Sequence, residues 1–422
     1  MSCLNFKEIR IVDDFINICD IIEEISVSEN VDDAFHILNV SEVITRHKLW
    51  LSKIPKVVPY YAVFCNSHPT ILKVLSELNS HFDCASKEEI IKVQKYGVSA
   101  KRINFTNPMK TPSLIAYAKE VGVERMTADC QGELVKIKKF FPEAKVVIRI
   151  RCVADYLGSE LALKFGCDPH QGAIELINIT KDLGLILQGF SFHACNPHAK
   201  LDEYARSIRI CMKLIDYAKS IGFNDANLID IGGGIPGEAQ LDIDKFAIII
   251  NEAIKDIDPS IRFICQPGRY YVTASTFAVT DVIGKKRVIE DKRTGYIYYI
   301  NDGKFRSFLD KGLQKENPVL LDTITKNRFP TKIWGLTCCS TDLVLSNELL
   351  PEFQIGDRLI WKNMGSYSAT ISTKFNGFDR PIVYPFMRKS DWYLLEAEIL
   401  SLKYVDCGSP LSKTFIPKLK KM

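Results

Sequence analysis

The chain has 422 residues, 46% hydrophobic and 25% charged, and its 55 basic and 51 acidic side chains leave a formal net charge of +4. That length accommodates two cores of ordinary domain size, and so small a charge excess excludes a polybasic binder of nucleic acid or membrane surfaces. The 13 cysteines are odd in number and form no C-x-x-C pair, which excludes a disulfide framework and a zinc site and points to a reducing cytoplasm.

The opening MSCLNFKEIR has no apolar h-region, and no stretch approaches the roughly 18 apolar residues of a spanning helix. Neither a membrane nor a nucleic acid is expected as a partner. The stretch AFHILNV, before Ser41, reads as strand. From Pro59 onward, short apolar strands alternate with amphipathic helices, the signature of a parallel sheet covered by helices. Eight strands follow: YYAVFC from Tyr60, HFDC from His81, INFT from Ile103, MTADC from Met126, VVIRI from Val146, GFSFH from Gly189, LIDI from Leu228 and RFIC from Arg262. Eight is the barrel number. Between them, Leu114, Ile115, Ala118 and Val121 share one helical face, as do Leu134, Ile137 and Phe140.

After Thr273 the pattern becomes alternating runs such as TGYIYYIN and DRLIWKNM, which read as antiparallel sheet. The expected organisation is α/β: a (β/α)8 TIM-like barrel over residues 41–273 and a C-terminal, mostly antiparallel β-domain over 274–422. Residues 1–40 lend strands to the β-domain. The basic end SKTFIPKLKKM reads as a frayed terminus.

Function in such barrels sits at the C-terminal ends of the strands. Those ends carry Phe64-Cys65-Asn66, His193, Gly232-Gly233-Gly234 and Gln266-Pro267-Gly268-Arg269. Three glycines between strand and helix let backbone N–H groups approach an anion, with Gly268 and Arg269 completing a cup, although glycines alone also suit a tight turn. His193 on an apolar strand reads, by itself, as a satisfied core histidine.

The ordered strings PYYAVFCN, FDCASKEE, KFG, SFH, LIDIGGGIPG, PGRYYV, YYINDG, WGLTC, NMGSY and KFNGF span almost the whole chain. Together they resemble eukaryotic ornithine decarboxylase and its relatives. The resemblance implies an alanine racemase-like barrel that binds pyridoxal phosphate, a β-domain, and a head-to-tail dimer that builds each active site from both subunits. It assigns the phosphate cup to Gly233, Gly234, Gly268, Arg269 and Tyr367. The ring-stacking histidine falls on His193, the surrounding acids and base on Asp83, Glu89 and Arg149, and the proton-donating cysteine on Cys338.

The departures lie where the resemblance places the chemistry. Phe64 stands at the Schiff-base lysine and has no amine. Gln266 stands at the acid facing the pyridine nitrogen, where a neutral amide stabilises a pyridinium less than an anion does. Cys339 and Gln314 stand at the two substrate-clasping aspartates, and Pro197, in the loop after His193, has no N–H to give to phosphate. Phe64 is expected to plug the cavity at least in part. No covalently bound cofactor is then expected, and pyridoxal 5'-phosphate is left at most a weak non-covalent ligand.

Two subunit-bridging ion pairs implied by the resemblance keep complementary signs, Lys164 with Asp342 and Asp129 with Lys286. A homodimer, or a heterodimer with an active paralogue, is therefore expected. A regulator akin to antizyme inhibitor would bind antizyme near residues 105 to 140, where Lys136, Lys138 and Lys139 suit an acidic partner; a lysine run is equally a solvated face. The chain also stops soon after the β-domain, from which a longer-lived protein is expected. The alternative is a divergent pyridoxal-phosphate-dependent decarboxylase of ornithine or another amino acid, making putrescine or another amine.

Overall fold

The computed structural model describes residues 8–29, 31–152, 164–194, 202–240, 242–290, 293–309, 317–320 and 327–406. Two short strands come first, β1 (Arg10–Val12) and β2 (Phe35–Asn39). Eight parallel strands then close a barrel: β3 (Val57–Ala62), β4 (His81–Cys84), β5 (Ile103–Phe105), β6 (Arg125–Ala128), β7 (Lys145–Arg149), β8 (Ile186–Ser191), β9 (Leu228–Asp230) and β10 (Arg262–Cys265). Closure is made by β10, which pairs in parallel with both β9 and β3.

The helices between these strands start where local chemistry dictates. Proline occupies the first turn of Pro69–Glu77 and of Pro112–Glu120, where its missing N–H costs nothing. Ser86 caps Lys87–Gln94 by accepting from the Glu89 N–H. The inner faces of these helices join the strands in one large apolar core containing Ile71, Ile90, Ile115, Ile137, Ile177 and Ile250. Tyr60, Val147, Leu228 and Ile264, from β3, β7, β9 and β10, form a separate apolar cluster. Arg125 links to it, donating to the Tyr60 hydroxyl at 2.9 Å, Asn104 Oδ1 at 2.5 Å and Gln188 Oε1 at 2.6 Å.

The second unit is a nine-stranded sheet. Its later strands are β11 (Thr276–Glu290), β12 (Arg293–Ile300), β13 (Val319–Leu320), β14 (Phe329–Trp334), β15 (Leu343–Leu350), β16 (Arg358–Trp361) and β17 (Ile382–Arg388). The order is β1-β17-β2-β11-β12-β14-β15, with β16 also on β11 and β13 on β16. Pairings around β11 and in β13–β16 and β14–β15 are antiparallel, whereas β1–β17, β17–β2 and β12–β14 are parallel. The sheet is thus mostly antiparallel, and it draws β1 and β2 from the start of the chain. Among the described residues no helix is long and apolar enough to cross a membrane.

One contact between the units positions the site. The segment after β16 folds back over the end of β3, where Asn66 donates to the Gly365 carbonyl at 2.8 Å and Tyr367 N–H to the Cys65 carbonyl at 3.1 Å. The Ser67 N–H also reaches Thr370 Oγ1 at 3.2 Å. The sheet therefore supplies one wall of the barrel mouth.

Candidate active site

Phe64 lies in a one-turn 3-10 helix, Val63–Cys65, directly after β3. Its neighbours Val63 and Cys65 are buried, yet Phe64 itself is 40% exposed. Its ring leans on Tyr367, with centroids 5.8 Å apart and planes tilted by 39°. The expectation that Phe64 plugs the cavity is corrected: at 40% exposure and resting on Tyr367, the ring is not packed as core within the barrel. Tyr367 in turn carries the Arg269 guanidinium 4.4 Å from its ring centre, a cation–π contact. The three side chains form one continuous wall.

The glycine turn follows β9 and lies beside the turn after β10. Gly232 and Gly234 have φ of +68° and +84°, and a Cβ at Gly234 would lie 2.0 Å from the Ala194 carbonyl oxygen. No other residue fits there without moving backbone. The Gly233 N–H donates to His193 Nδ1 at 3.1 Å, so that nitrogen is an acceptor and the ring proton resides on Nε2. Desolvation, helped by the positive charge of Arg149, lowers the His193 pKa to about 3 and keeps the ring neutral. Gly268 and Arg269 begin the short helix after β10, and Arg269 donates to Ser366 Oγ at 3.3 Å.

The acids divide by role. Asp83, at the end of β4, is buried, with the Thr106 side chain beside its carboxylate. Burial drives its pKa well up, with the acids Asp230 and Glu89 adding to the shift and the Thr106 hydrogen bond and Arg149 opposing it. A carboxylate at this depth is costly, and it fits a polar ligand at the strand ends. Glu89 is used locally, accepting the Ala85 N–H at 2.8 Å above its helix start, and burial raises its pKa. Arg149 ends β7 with its guanidinium 5.2 Å from the Phe165 ring centre.

Gln266 has a partner that sequence reasoning missed. Its amide nitrogen donates to Asp230 Oδ2 at 2.6 Å, while Asp230 Oδ1 accepts from the Gly232 N–H at 2.9 Å. Burial pushes the Asp230 pKa up to about 6. A carboxylate thus stands behind the amide, one side chain deeper than the resemblance placed it. The signal was an acid inside the apolar run LIDI, directly before the glycines. Tyr204 was also missed; its hydroxyl donates to the Gly233 carbonyl at 2.7 Å and fixes the turn.

Cys338 and Cys339 lie on the sheet domain, in the loop between β14 and β15. The Cys338 N–H donates to Asn376 Oδ1 at 3.1 Å, and Cys339 Sγ is 3.2 Å from Thr341 Oγ1. Gln314 and Pro197 lie outside the described residues, as does the basic end of the chain.

The charges assigned to subunit bridging are placed unequally. Lys164 and Lys286 are exposed, their ammonium groups 5.0 and 5.1 Å from the ring centres of Phe165 and Tyr299. Asp129 accepts the Gly166 N–H at 2.8 Å through Oδ2, and its buried Oδ1 has no hydrogen-bond partner among the described residues. Asp342 is fully buried instead. Its carboxylate accepts the Lys304 N–H at 2.6 Å, the Thr337 N–H at 3.0 Å and the Thr337 hydroxyl at 2.6 Å. Turned inward by these donors, it is an internal anchor rather than a surface partner for Lys164. The lysine run is partly committed as well, since Lys136 donates to the Lys110 carbonyl and pairs with buried Glu133.

Comparison with known proteins accounts for this arrangement. Residues 40–273 match the family model "Pyridoxal-dependent decarboxylase, pyridoxal binding domain", and residues 269–365 match the family's C-terminal sheet domain. The ornithine decarboxylase of Caenorhabditis elegans is 35% identical over 395 residues, covering 90% of this chain and 93% of its own length. Antizyme inhibitor 2 of Xenopus laevis is 34% identical over 392 residues, covering 88% and 85%. Among solved structures, a lysine decarboxylase from Selenomonas ruminantium in complex with PLP and cadaverine superimposes with a TM-score of 0.78 at 25% identity, covering 94% of this chain and 100% of that one.

These matches overturn the expectation of no covalently bound cofactor, with pyridoxal 5'-phosphate at most a weak ligand. The matched domain is a pyridoxal binding domain, and the structural neighbour holds PLP. The expectation weighed one substituted position too heavily against strand ends that keep the glycine turn, Arg269, His193 and Asp83. With both domains matched and a relative above 30% identity over nine-tenths of its length, the chain belongs to the pyridoxal-dependent decarboxylases, within the ornithine decarboxylase family.

Proposed function

We propose that this chain is an ornithine decarboxylase-like pseudoenzyme that regulates polyamine synthesis by binding antizyme or an active decarboxylase subunit in the cytoplasm. The observation that carries the reading is Phe64, a benzyl side chain at the strand end that faces the Arg269–Tyr367 wall. In the family, pyridoxal phosphate supplies an electron sink for the charge left when carbon dioxide departs. Here Gly233, Gly234, Gly268, Arg269 and Tyr367 would hold its phosphate, and His193, Asp83 and Arg149 its ring.

The chain's own acid-base groups do not complete the reaction. Phe64 has no proton to give or take, Gln266 presents an amide in front of Asp230, and Cys339 puts a thiol where a substrate-clasping aspartate would stand. A lost acid-base group alone costs about 10² to 10⁴ in rate. An antizyme inhibitor 2 stands among the relatives at 34% identity, within the 33–36% of the ornithine decarboxylases, and its presence is compatible with a regulatory role. The dimer, with itself or with a paralogue, would use Asp129 and Lys286.

The test is direct. Purified protein is supplied with pyridoxal phosphate and, in turn, ornithine, lysine and arginine, and released carbon dioxide is measured; antizyme binding is followed by size-exclusion chromatography. No release together with a stable antizyme complex is expected, and turnover of any of the three amino acids refutes the reading.

A second reading, a divergent pyridoxal-phosphate-dependent decarboxylase, is favoured by the buried carboxylate of Asp83, kept at the strand end of a barrel that retains the glycine turn. The same assay decides between the two.

A further inference from the structure

The loop over residues 335–342 is held from inside. Besides the three donors on the Asp342 carboxylate, the Asp342 carbonyl accepts the Gly335 N–H at 2.8 Å and its own N–H donates to the Cys339 carbonyl at 3.1 Å. A Cβ on Gly335 would lie 2.4 Å from the Asp342 carboxylate oxygens, so the loop closes on its anchor only with glycine there. The closed loop presents two adjacent thiols. Among the described residues Cys338 is the one exposed cysteine, and Cys339 is half-buried, as are Cys19, Cys130 and Cys167.

The two thiols differ. Cys339 Sγ lies 3.2 Å from the Thr341 hydroxyl. Hydrogen bonds from the Thr341 side chain and backbone hold its pKa below the usual thiol range, against desolvation and the charge of Asp342, with Lys304 adding slightly to the lowering. Low thiol pKa, exposure and an adjacent second thiol are the features of reversibly oxidised cysteines.

We propose that Cys338 and Cys339 form a reversible oxidation site, at which a peroxide converts the dithiol into a disulfide between adjacent residues. The Cys339 thiolate attacks one peroxide oxygen, the O–O bond breaks, and hydroxide leaves, giving a sulfenic acid. The Cys338 thiol then attacks that sulfur, the S–O bond breaks, and the sulfenic oxygen departs as water with the Cys338 proton. Two thiols and one peroxide thereby yield one disulfide and two waters. Neighbouring Cα atoms are about 3.8 Å apart across a trans peptide, closer than the roughly 4.4–6.8 Å of ordinary disulfides. The ring is strained, and small thiols reduce it readily.

The site is independent of the regulatory reading, since it requires no turnover. The full chain is treated with hydrogen peroxide, alkylated with a maleimide and mapped by mass spectrometry. The Cys338–Cys339 peptide should lose two hydrogens, escape alkylation and recover both thiols with dithiothreitol. In Cys338→Ser, dimedone should label Cys339, and in Thr341→Val, oxidation should slow several-fold with an unchanged melting temperature. Dimedone labelling of Cys338 in the unmodified chain, oxidation falling first on another cysteine, or a sulfenic acid that never condenses each overturns the proposal.

Discussion

Replacing Asp342 by alanine tests whether this acid is an internal anchor or a subunit bridge. Alanine removes the acceptor of two backbone N–H groups, Lys304 and Thr337, and of the Thr337 hydroxyl, all beneath a residue with no exposed surface. Each buried donor left unsatisfied costs about 1–3 kcal/mol. The hydroxyl can rotate to another acceptor and the two N–H groups cannot, so the expected loss is about 4 kcal/mol. Urea unfolding read by tryptophan fluorescence measures it as a shift in midpoint at constant slope. An internal anchor gives the same loss at every protein concentration, whereas a subunit bridge gives a loss that shrinks as concentration rises. A change below about 1 kcal/mol, or a strong concentration dependence, would refute the reasoning.

Acid should destabilise the chain through buried histidines. The pKa of His36 is lowered to about 4 by desolvation and the charge of Arg306, and that of His47 to about 4 by desolvation. Each folded value lies below the unfolded 6.5, so the unfolded chain binds more protons between the two. Stability present above the unfolded value is lost as pH falls through that window, by about 2 kcal/mol per histidine at about pH 5. His36→Gln should flatten the urea midpoint between about pH 7.5 and 5, and an unaltered slope contradicts the assignment. Glu133→Gln strands Lys110, whose fully buried ammonium lies 2.9 Å from Glu133 Oε1; a loss of about 3–5 kcal/mol is expected. Combining it with Lys110→Met should recover much of that, as the same unfolding measurement will show. Phe64→Lys with Gln266→Glu and Cys339→Asp should yield pyridoxal phosphate fixed by borohydride at position 64 and carbon dioxide release from ornithine; neither appearing means that the pocket lining has diverged further.

The barrel was legible because each βα unit writes two periods, a β-branched run and then a helical face such as Leu134, Ile137 and Phe140. Strand starts were less so. Strand β3 begins at Val57 and β8 at Ile186, earlier than read, because Pro59 and Gly189 resemble breaks and are instead absorbed by the ladder. The parallel pairings of β12 with β14 and of β1 with β17 leave no local mark, since partners distant in the chain decide them. At the site, the glycine turn and Arg269 announced themselves by residue type. Asp230 did not, because its role depends on Gln266 lying one strand away. Asp342 misled because the resemblance alone assigned it to a subunit bridge, while its burial comes from the Lys304 N–H on another segment. Phe64 misled in the opposite sense, an aromatic ring left 40% exposed against Tyr367.

The placement of β2 between β11 and β17 has a consequence for biosynthesis. Phe35 aligns with Val279 on one side and Ile382 on the other, so the first strands leave the ribosome long before either neighbour exists. At roughly 5–20 residues per second the wait is tens of seconds. Throughout it, FHILN has both edges open while the whole barrel is made. A nascent chain in that interval is a natural client for chaperones, and ribosome stalling just before Ile382 should leave the amino-terminal segment open to proteases although the barrel has already closed.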